Sequence, residues 1–214
     1  MALNINGTTG ISGVDGSVSA PAVTGTDSNT GITFPSADTI KFSTGGVERM
    51  AITNSGISGI TAGITMADQW RLTSSYTANG AAALLANWER NDNANYAKIG
   101  TGMAESSGIF SFPSTGIYYI QFNSRAAASG GARSYVGIYI EQGVSGSYSS
   151  VAEAYDSASA SGYYVNLTTS TIFDVTNTST HTVEFNVDTS GSTVYGGNTN
   201  INQTFVTFLR LGDT

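Results

Sequence analysis

The chain has no cysteine, which excludes disulfides and every thiolate metal site, so its durability must come from packing and assembly. It has one histidine, His181. A Ser-His-Asp relay would have to be built on that single imidazole, and a tetrahedral zinc shell would need three carboxylates beside it. Its setting, Thr178-Ser179-Thr180-His181-Thr182, predicts the entrance to a strand instead. Eight basic residues face fifteen acidic ones, for a formal net charge of −7. Lys and Arg cluster nowhere, which argues against phosphate backbones and anionic membranes. No run of about 18 apolar residues exists. The opening Met-Ala-Leu-Asn-Ile-Asn-Gly carries neither a basic region nor an apolar stretch, so neither a membrane span nor a secretory signal is expected. Aromatic side chains are scarce at the front: only Phe34 and Phe42 precede residue 66. A large buried apolar side chain is worth about 1.5–3 kcal/mol, so the core is expected in the last two-thirds of the chain.

What residues 1–66 do contain is a short repeated unit, Gly-Ile-Ser/Thr, at Gly10-Ile11-Ser12, Gly31-Ile32-Thr33, Gly56-Ile57-Ser58 and Gly63-Ile64-Thr65. The irregular spacing excludes a solenoid. Two alternatives stay open: parallel copies bury these isoleucines around an axis, or the stretch is a flexible Gly/Thr/Ser linker. Within it, Ile40 and Phe42, then Met50 and Ile52, alternate with polar residues on either side of Thr44-Gly45-Gly46, the pattern of a β-hairpin.

From Ala67 onward the pattern is one of short alternating strands. Asp68-Gln69-Trp70-Arg71-Leu72 opens the series, and Val136, Ile138 and Ile140 share one face. Val165, Leu167, Phe173 and Val175 share another register, and Val183, Phe185 and Val187 alternate cleanly with Glu184, Asn186 and Asp188. Residues 84–90 are ambiguous, because Ala81, Ala82 and Ala83 favour helix while Leu84, Ala86 and Trp88 alternate; a strand is expected. Two segments carry bulk on both faces. In the first, Ile117 and Tyr119 oppose Tyr118, Ile120 and Phe122; in the second, Phe205, Leu209 and Leu211 oppose Val206 and Phe208. One face can fill a sandwich core, and the other then needs a second cover, which identical subunits supply. Ile117, Tyr118, Tyr119, Phe205 and Leu209 are therefore the expected interface and core residues of an all-β jelly-roll sandwich.

The segment 108–122 also resembles a known signature. Gly108, Phe110, Pro113, Gly116, Tyr118 and Tyr119 match the central motif of the complement-component-one-q and tumour-necrosis-factor superfamily, with Phe112 standing where that family often has cysteine. The resemblance extends from about residue 68 to the end and implies a ten-stranded jelly roll assembled as a homotrimer. The opening Asn6-Gly7-Thr8-Thr9-Gly10-Ile11-Ser12-Gly13 and the hairpin Val47-Glu48-Arg49-Met50-Ala51-Ile52 resemble attachment and shaft segments of bacteriophage fibres, particularly those of cyanophages. That resemblance covers roughly the first 60 residues and implies docking to a virion. With the other observations it leads to the expectation of residues 1–66 docking on other virion proteins and residues 67–214 forming a trimeric head, in a protein made in the host cytoplasm and resident on the virion surface.

Chemistry is not legible. The acidic residues Glu141, Glu153, Asp156, Asp174, Glu184 and Asp188 are scattered over expected solvent faces. No Asp-x-Asp-x-Asp-Gly calcium loop exists, and the early glycines lack the strand, helix and lysine of a phosphate cradle. No catalytic, cofactor or metal residue is expected. Tyr148, Tyr163, Tyr164 and Tyr195 sit among Ser, Gly and Asn, a combination suited to recognising a host glycan or protein. The expected role is a non-enzymatic tail fibre or adhesin for host attachment. The alternatives are a trimeric capsid decoration protein that stabilises the head, and a polysaccharide depolymerase using two carboxylates.

Overall fold

The computed structural model describes residues 4–6, 10–12, 15–59 and 63–214, and every regular element among them is a strand. The chain divides into two compact units, 1–62 and 63–214, slightly earlier than the expected break after residue 66. The first unit contains β1 (Asn4–Asn6), β2 (Gly10–Ser12), β3 (Gly16–Ser17), β4 (Ala20–Pro21), β5 (Val23–Thr24), β6 (Gly31–Thr33), β7 (Ile40–Thr44), β8 (Val47–Thr53) and β9 (Gly56–Ser58). The last five form one antiparallel meander. Its central hairpin closes where Thr44 pairs with Val47, through Gly45 and Gly46 at φ of 58° and 72°. Two successive positive-φ residues are what a two-residue turn of this twist requires, and glycine adopts them without strain.

Three of the four Gly-Ile-Ser/Thr units are strands: β2, β6 and β9. The flexible-linker alternative thus gives way to hydrogen-bonded strands, the β3–β4 pair and the β5–β9 sheet. Gly7, Thr8, Thr9 and Gly13 of the fibre-like opening lie outside the described residues. The meander's register aligns Val23, Ile32, Phe42 and Met50 in one cross-strand row, and Ile40, Ile52 and Ile57 in the next. Period-two alternation puts both rows on one face, whereas the opposite face carries the buried Thr33, Ser43 and Ala51.

The second unit contains β10 (Met66–Leu72), β11 (Ser74–Asn79), β12 (Ala83–Leu84), β13 (Trp88–Arg90), β14 (Ala104–Ser106), β15 (Ile109–Ser111), β16 (Gly116–Ala128), β17 (Arg133–Val144), β18 (Ser147–Ala158), β19 (Tyr164–Val175), β20 (His181–Thr189), β21 (Ser192–Asn198) and β22 (Thr204–Gly212). They form two antiparallel sheets. The first is organised on β16, which pairs with β19 along one edge and with β22 and then β21 along the other; β10 and β13 continue beyond β22. The second runs β14-β15-β20-β17-β18, with β12 also on β20.

The sandwich core lies between the sheets. Tyr118, Ile120 and Phe122 from β16 and Val206 and Phe208 from β22 meet Phe110, Val136, Ile138, Ile140, Val183, Phe185 and Val187 from the other sheet, all fully buried. Phe110 is the hub, with ring centroids 5.3–5.8 Å from Trp70, Trp88, Phe185 and Phe208.

The segment 84–90 is not one strand. Ala83–Leu84 pairs with β20 in the second sheet while Trp88–Arg90 pairs with β10 in the first. Between them Asn87 takes φ 64°, so the chain crosses the sandwich there, and Leu85 and Trp88 plug the core on the way. The connection 112–115 likewise carries the chain from β15 in the second sheet to β16 in the first. Gly116 stands at the landing point with φ 143°, and a Cβ there would lie 2.5 Å from both Arg210 Nε and Gly212 O. Gly116→Ala is expected to lower unfolding stability by about 1–3 kcal/mol in a denaturant titration.

Candidate functional site

The outward face of the first sheet follows from register. Ala67, Leu209, Tyr119 and Ile172 are directly opposed across β10, β22, β16 and β19, a row of apolar side chains four strands wide. Ile172 is 61% exposed and Leu211 is 51% exposed, while Tyr119, Leu209 and Ile117 are half-buried. Beside this row lies a polar one, Gln69, Thr207, Gln121 and Ser170. The next row holds Arg71, Phe205, Asn123 and Thr168.

That end of the face is closed by loops the sequence did not announce. The Arg71 side chain is fully buried, paired with Glu89 at 2.8 Å and Asp92 at 2.5 Å, and donates to Asn91 Oδ1 at 3.1 Å and to the Thr199 carbonyl. Gln69 donates to Thr207 Oγ1, and its Oε1 accepts from Asn91 and Asn202. Phe205, four residues from Leu209 on the same strand, lines a groove of ≈ 350 Å³ together with Asn123, Arg125, Asn166 and Asn202. Arg125 Nε and Asn202 Oδ1 are buried there with no hydrogen-bond partner among the described residues.

Of the five expected interface and core residues, the structure places Ile117, Tyr119, Phe205 and Leu209 on this outward face and Tyr118 in the core. Tyr118 packs on Phe112 at 4.7 Å, with its hydroxyl donating to the Ser114 carbonyl at 2.8 Å.

The four tyrosines expected in receptor-binding loops do not form one site. Tyr195 is fully buried on β21, and its hydroxyl reaches across the sandwich to the carbonyls of Gly137 at 3.0 Å and Asp188 at 2.9 Å. Its assignment to a binding loop is therefore corrected. Gly196 and Gly197 gave the segment the look of a loop, whereas they continue the strand. Burial holds the Tyr195 phenol protonated far above the usual tyrosine range. Tyr148 lies on β18 beside the 145–146 turn, at the opposite end of the sandwich from Tyr163 and Tyr164, which lie where β18 passes into β19. Tyr163 and Tyr164 are exposed, and the Arg125 guanidinium lies 4.9 Å from the Tyr164 ring centroid, a cation–π contact.

Two groups that could attract a catalytic assignment are committed structurally. The buried Asp68 carboxylate accepts from Trp70 Nε1 at 2.9 Å, Tyr96 Oη at 2.8 Å, Met103 N at 2.8 Å and Arg90 Nε at 3.1 Å. Burial, then the hydrogen bond to Asp68, pushes Tyr96 up to about 12. His181 opens β20 as expected, 5.4 Å from the Phe173 ring, with Nδ1 3.0 Å from Thr180 Oγ1. Among the described residues no three His, Asp or Glu side chains are grouped to hold a metal ion.

The topology defines the second unit as a jelly-roll sandwich. No protein-family model and no curated protein matches the chain. Among solved structures the fold is similar to murine APRIL, solved at pH 5.0, at 12% identity over 68% of this chain and 98% of that one, with a TM-score of 0.53. It is also similar to Eiger, a TNF from S. frugiperda, at 9% identity over 70% and 94% of the two chains, with a TM-score of 0.51. The fold is that of the tumour-necrosis-factor jelly roll.

Proposed function

We propose that this chain is a non-enzymatic structural protein of a phage virion, a homotrimeric fibre or adhesin. Residues 1–66 dock on other virion proteins and the jelly-roll head presents a binding surface to the host. The trimer is carried by one observation: the outward row Ala67, Leu209, Tyr119 and Ile172, extended by Ile117 and Leu211, leaves apolar area on a sheet whose other face already fills the core. Three copies packed about an axis remove that area from water at about 25 cal/mol per Å². The virion setting rests on the likeness of the opening residues and of β8 to fibre segments. The apolar face of the β5–β9 meander fits docking of the same kind.

Light scattering on the purified full chain at micromolar concentration is expected to give about three times the subunit mass; a monomer at that concentration overturns the trimer. Antibody against the chain, imaged on virions, places it. Label on the tail supports the adhesin, and label on the head replaces it with capsid decoration. Release of reducing ends from host envelope glycans would replace the non-enzymatic reading with a depolymerase.

A further inference from the structure

We propose that the outward face of the second sheet, on β17, β18 and β20, is a docking surface for an arginine-bearing polypeptide. This names the partner class for the adhesin and rests on that reading, but it uses the sheet opposite the one assigned to the trimer.

The surface is built on two glycines. A Cβ at Gly137 would lie 2.2 Å from the Tyr155 ring, and one at Gly143 would lie 2.6 Å from the Tyr148 ring. Both rings therefore occupy the space over the β17 backbone that a side chain at either glycine would fill, and the Tyr155 side chain remains exposed. The two glycines are six residues apart on one strand, about 20 Å. Tyr139 stands between them on the same side, and Tyr135 packs edge-on to Tyr155 at 5.9 Å and 76°. Thr182 Oγ1 holds Tyr148 Oη at 3.1 Å. A guanidinium is attracted to the faces of such rings.

Carboxylates fill the spaces between the tyrosines. Glu141 on β17 is directly opposite Glu184 on β20, Asp188 is opposite Gly137, and Glu153 is opposite Tyr139. Like charges at directly opposed positions destabilise a sheet; Ser150 Oγ donates to Glu141 Oε1 at 3.0 Å and Asn186 Nδ2 to Glu184 Oε1 at 3.1 Å, and neither bond supplies a counter-charge. Burial, together with Glu141, raises the Glu184 carboxyl above the ordinary range. Burial first, then Glu141 and Asp188, pushes Tyr139 up to about 12, and burial with Glu153 raises Tyr155. The basic residue at the head of β17, Arg133, is turned away onto the carbonyls of Ser192, Ala132 and Ser129.

The sign of this field excludes nucleic acid and anionic glycans. An uncharged glycan could stack on the rings but would bring the paired carboxylates no counter-charge. An arginine does both, stacking flat on tyrosine while its fork binds carboxylate oxygens. Lysine offers only a point charge.

The test uses the full chain and a fluorescent nona-arginine peptide, followed by anisotropy across a salt series. Tyr155→Ala, which leaves net charge unchanged, is expected to weaken binding about tenfold, and Tyr155→Phe, which keeps the ring, to restore it. The Glu141→Gln/Glu184→Gln pair is expected to weaken binding by at least as much, and the charge-matched pair Glu48→Gln/Asp213→Asn by less than twofold. Equal losses from both pairs would mean general attraction to an acidic chain and overturn the proposal. So would the absence of binding, or retardation by uncharged dextran that depends on Tyr155. Light scattering on the same samples separates the two readings: a monomer that still binds peptide through Tyr155 removes the trimeric adhesin and keeps the face, and a trimer indifferent to the peptide does the reverse.

Discussion

Tyr119→Asp is expected to leave the chain folded and convert the proposed trimer to a monomer. Tyr119 is half-buried in the isolated subunit, flanked by Leu209 and Ile172 on the neighbouring strands. Its backbone pairs stay intact whatever the side chain, and an aspartate there is solvated in the free chain. In the proposed assembly the same carboxylate would be withdrawn from water in every copy without a basic partner on the row. An uncompensated buried charge costs several kcal/mol, and three copies multiply that cost. Light scattering should report one subunit mass, with the far-ultraviolet circular dichroism unchanged. Glu184→Ala, on the other sheet, should remain trimeric. If the two substitutions act alike on assembly, the interface has been placed on the wrong face.

Phe110→Ala is expected to have the largest effect on folding. Its ring is fully buried and touches aromatic rings from both sheets, namely Trp70, Trp88, Phe185 and Phe208. Truncation removes the edge-to-face contacts and leaves a hole that these rigid neighbours cannot refill by rotamer changes alone. The expected loss is about 3–5 kcal/mol, or a fall in Tm of roughly 6–20 °C for a unit of this size. Calorimetry would measure it; a change under about 1 kcal/mol would mean that the site collapses and that Phe110 is not the hub. Because Tyr119 lies on the outward face of the first sheet and Phe110 lies in the core on β15 of the second, their effects separate: the first changes mass without melting the fold, and the second melts the fold.

Much of the second unit was legible because it depends on a period of two. The alternation of Val183, Phe185 and Val187, of Val136, Ile138 and Ile140, and of Tyr118, Ile120 and Phe122 names the inward face of each strand without any knowledge of its neighbours. The same rule marked Ile117, Tyr119 and Leu209 as surplus apolar groups on the other side. The Gly45-Gly46 hairpin was equally plain, since its geometry is set by two adjacent residues.

Where the pattern was local but the destination was not, the sequence misled. Residues 84–90 alternate like one strand yet serve two sheets, because the crossing at Asn87 is fixed by what Leu85 and Trp88 fill in the core. Tyr195 sits among turn residues yet is buried, because β21 is laid along the end of β16 and its hydroxyl meets two carbonyls of the opposite sheet.

The amino-acid pattern by itself determined that this is an all-β protein with a late, aromatic-rich core and more apolar sheet surface than one sandwich can hide, since each of these depends on neighbours along the strand. Only the tertiary structure decided which strands lie side by side. Cross-strand register joined Ala67 to Ile172 in one row, closed the end of that face over Arg71, and set Glu141 against Glu184 between the tyrosines at Gly137 and Gly143. Such contacts are made by residues tens of positions apart, and period-two alternation carries no information about them.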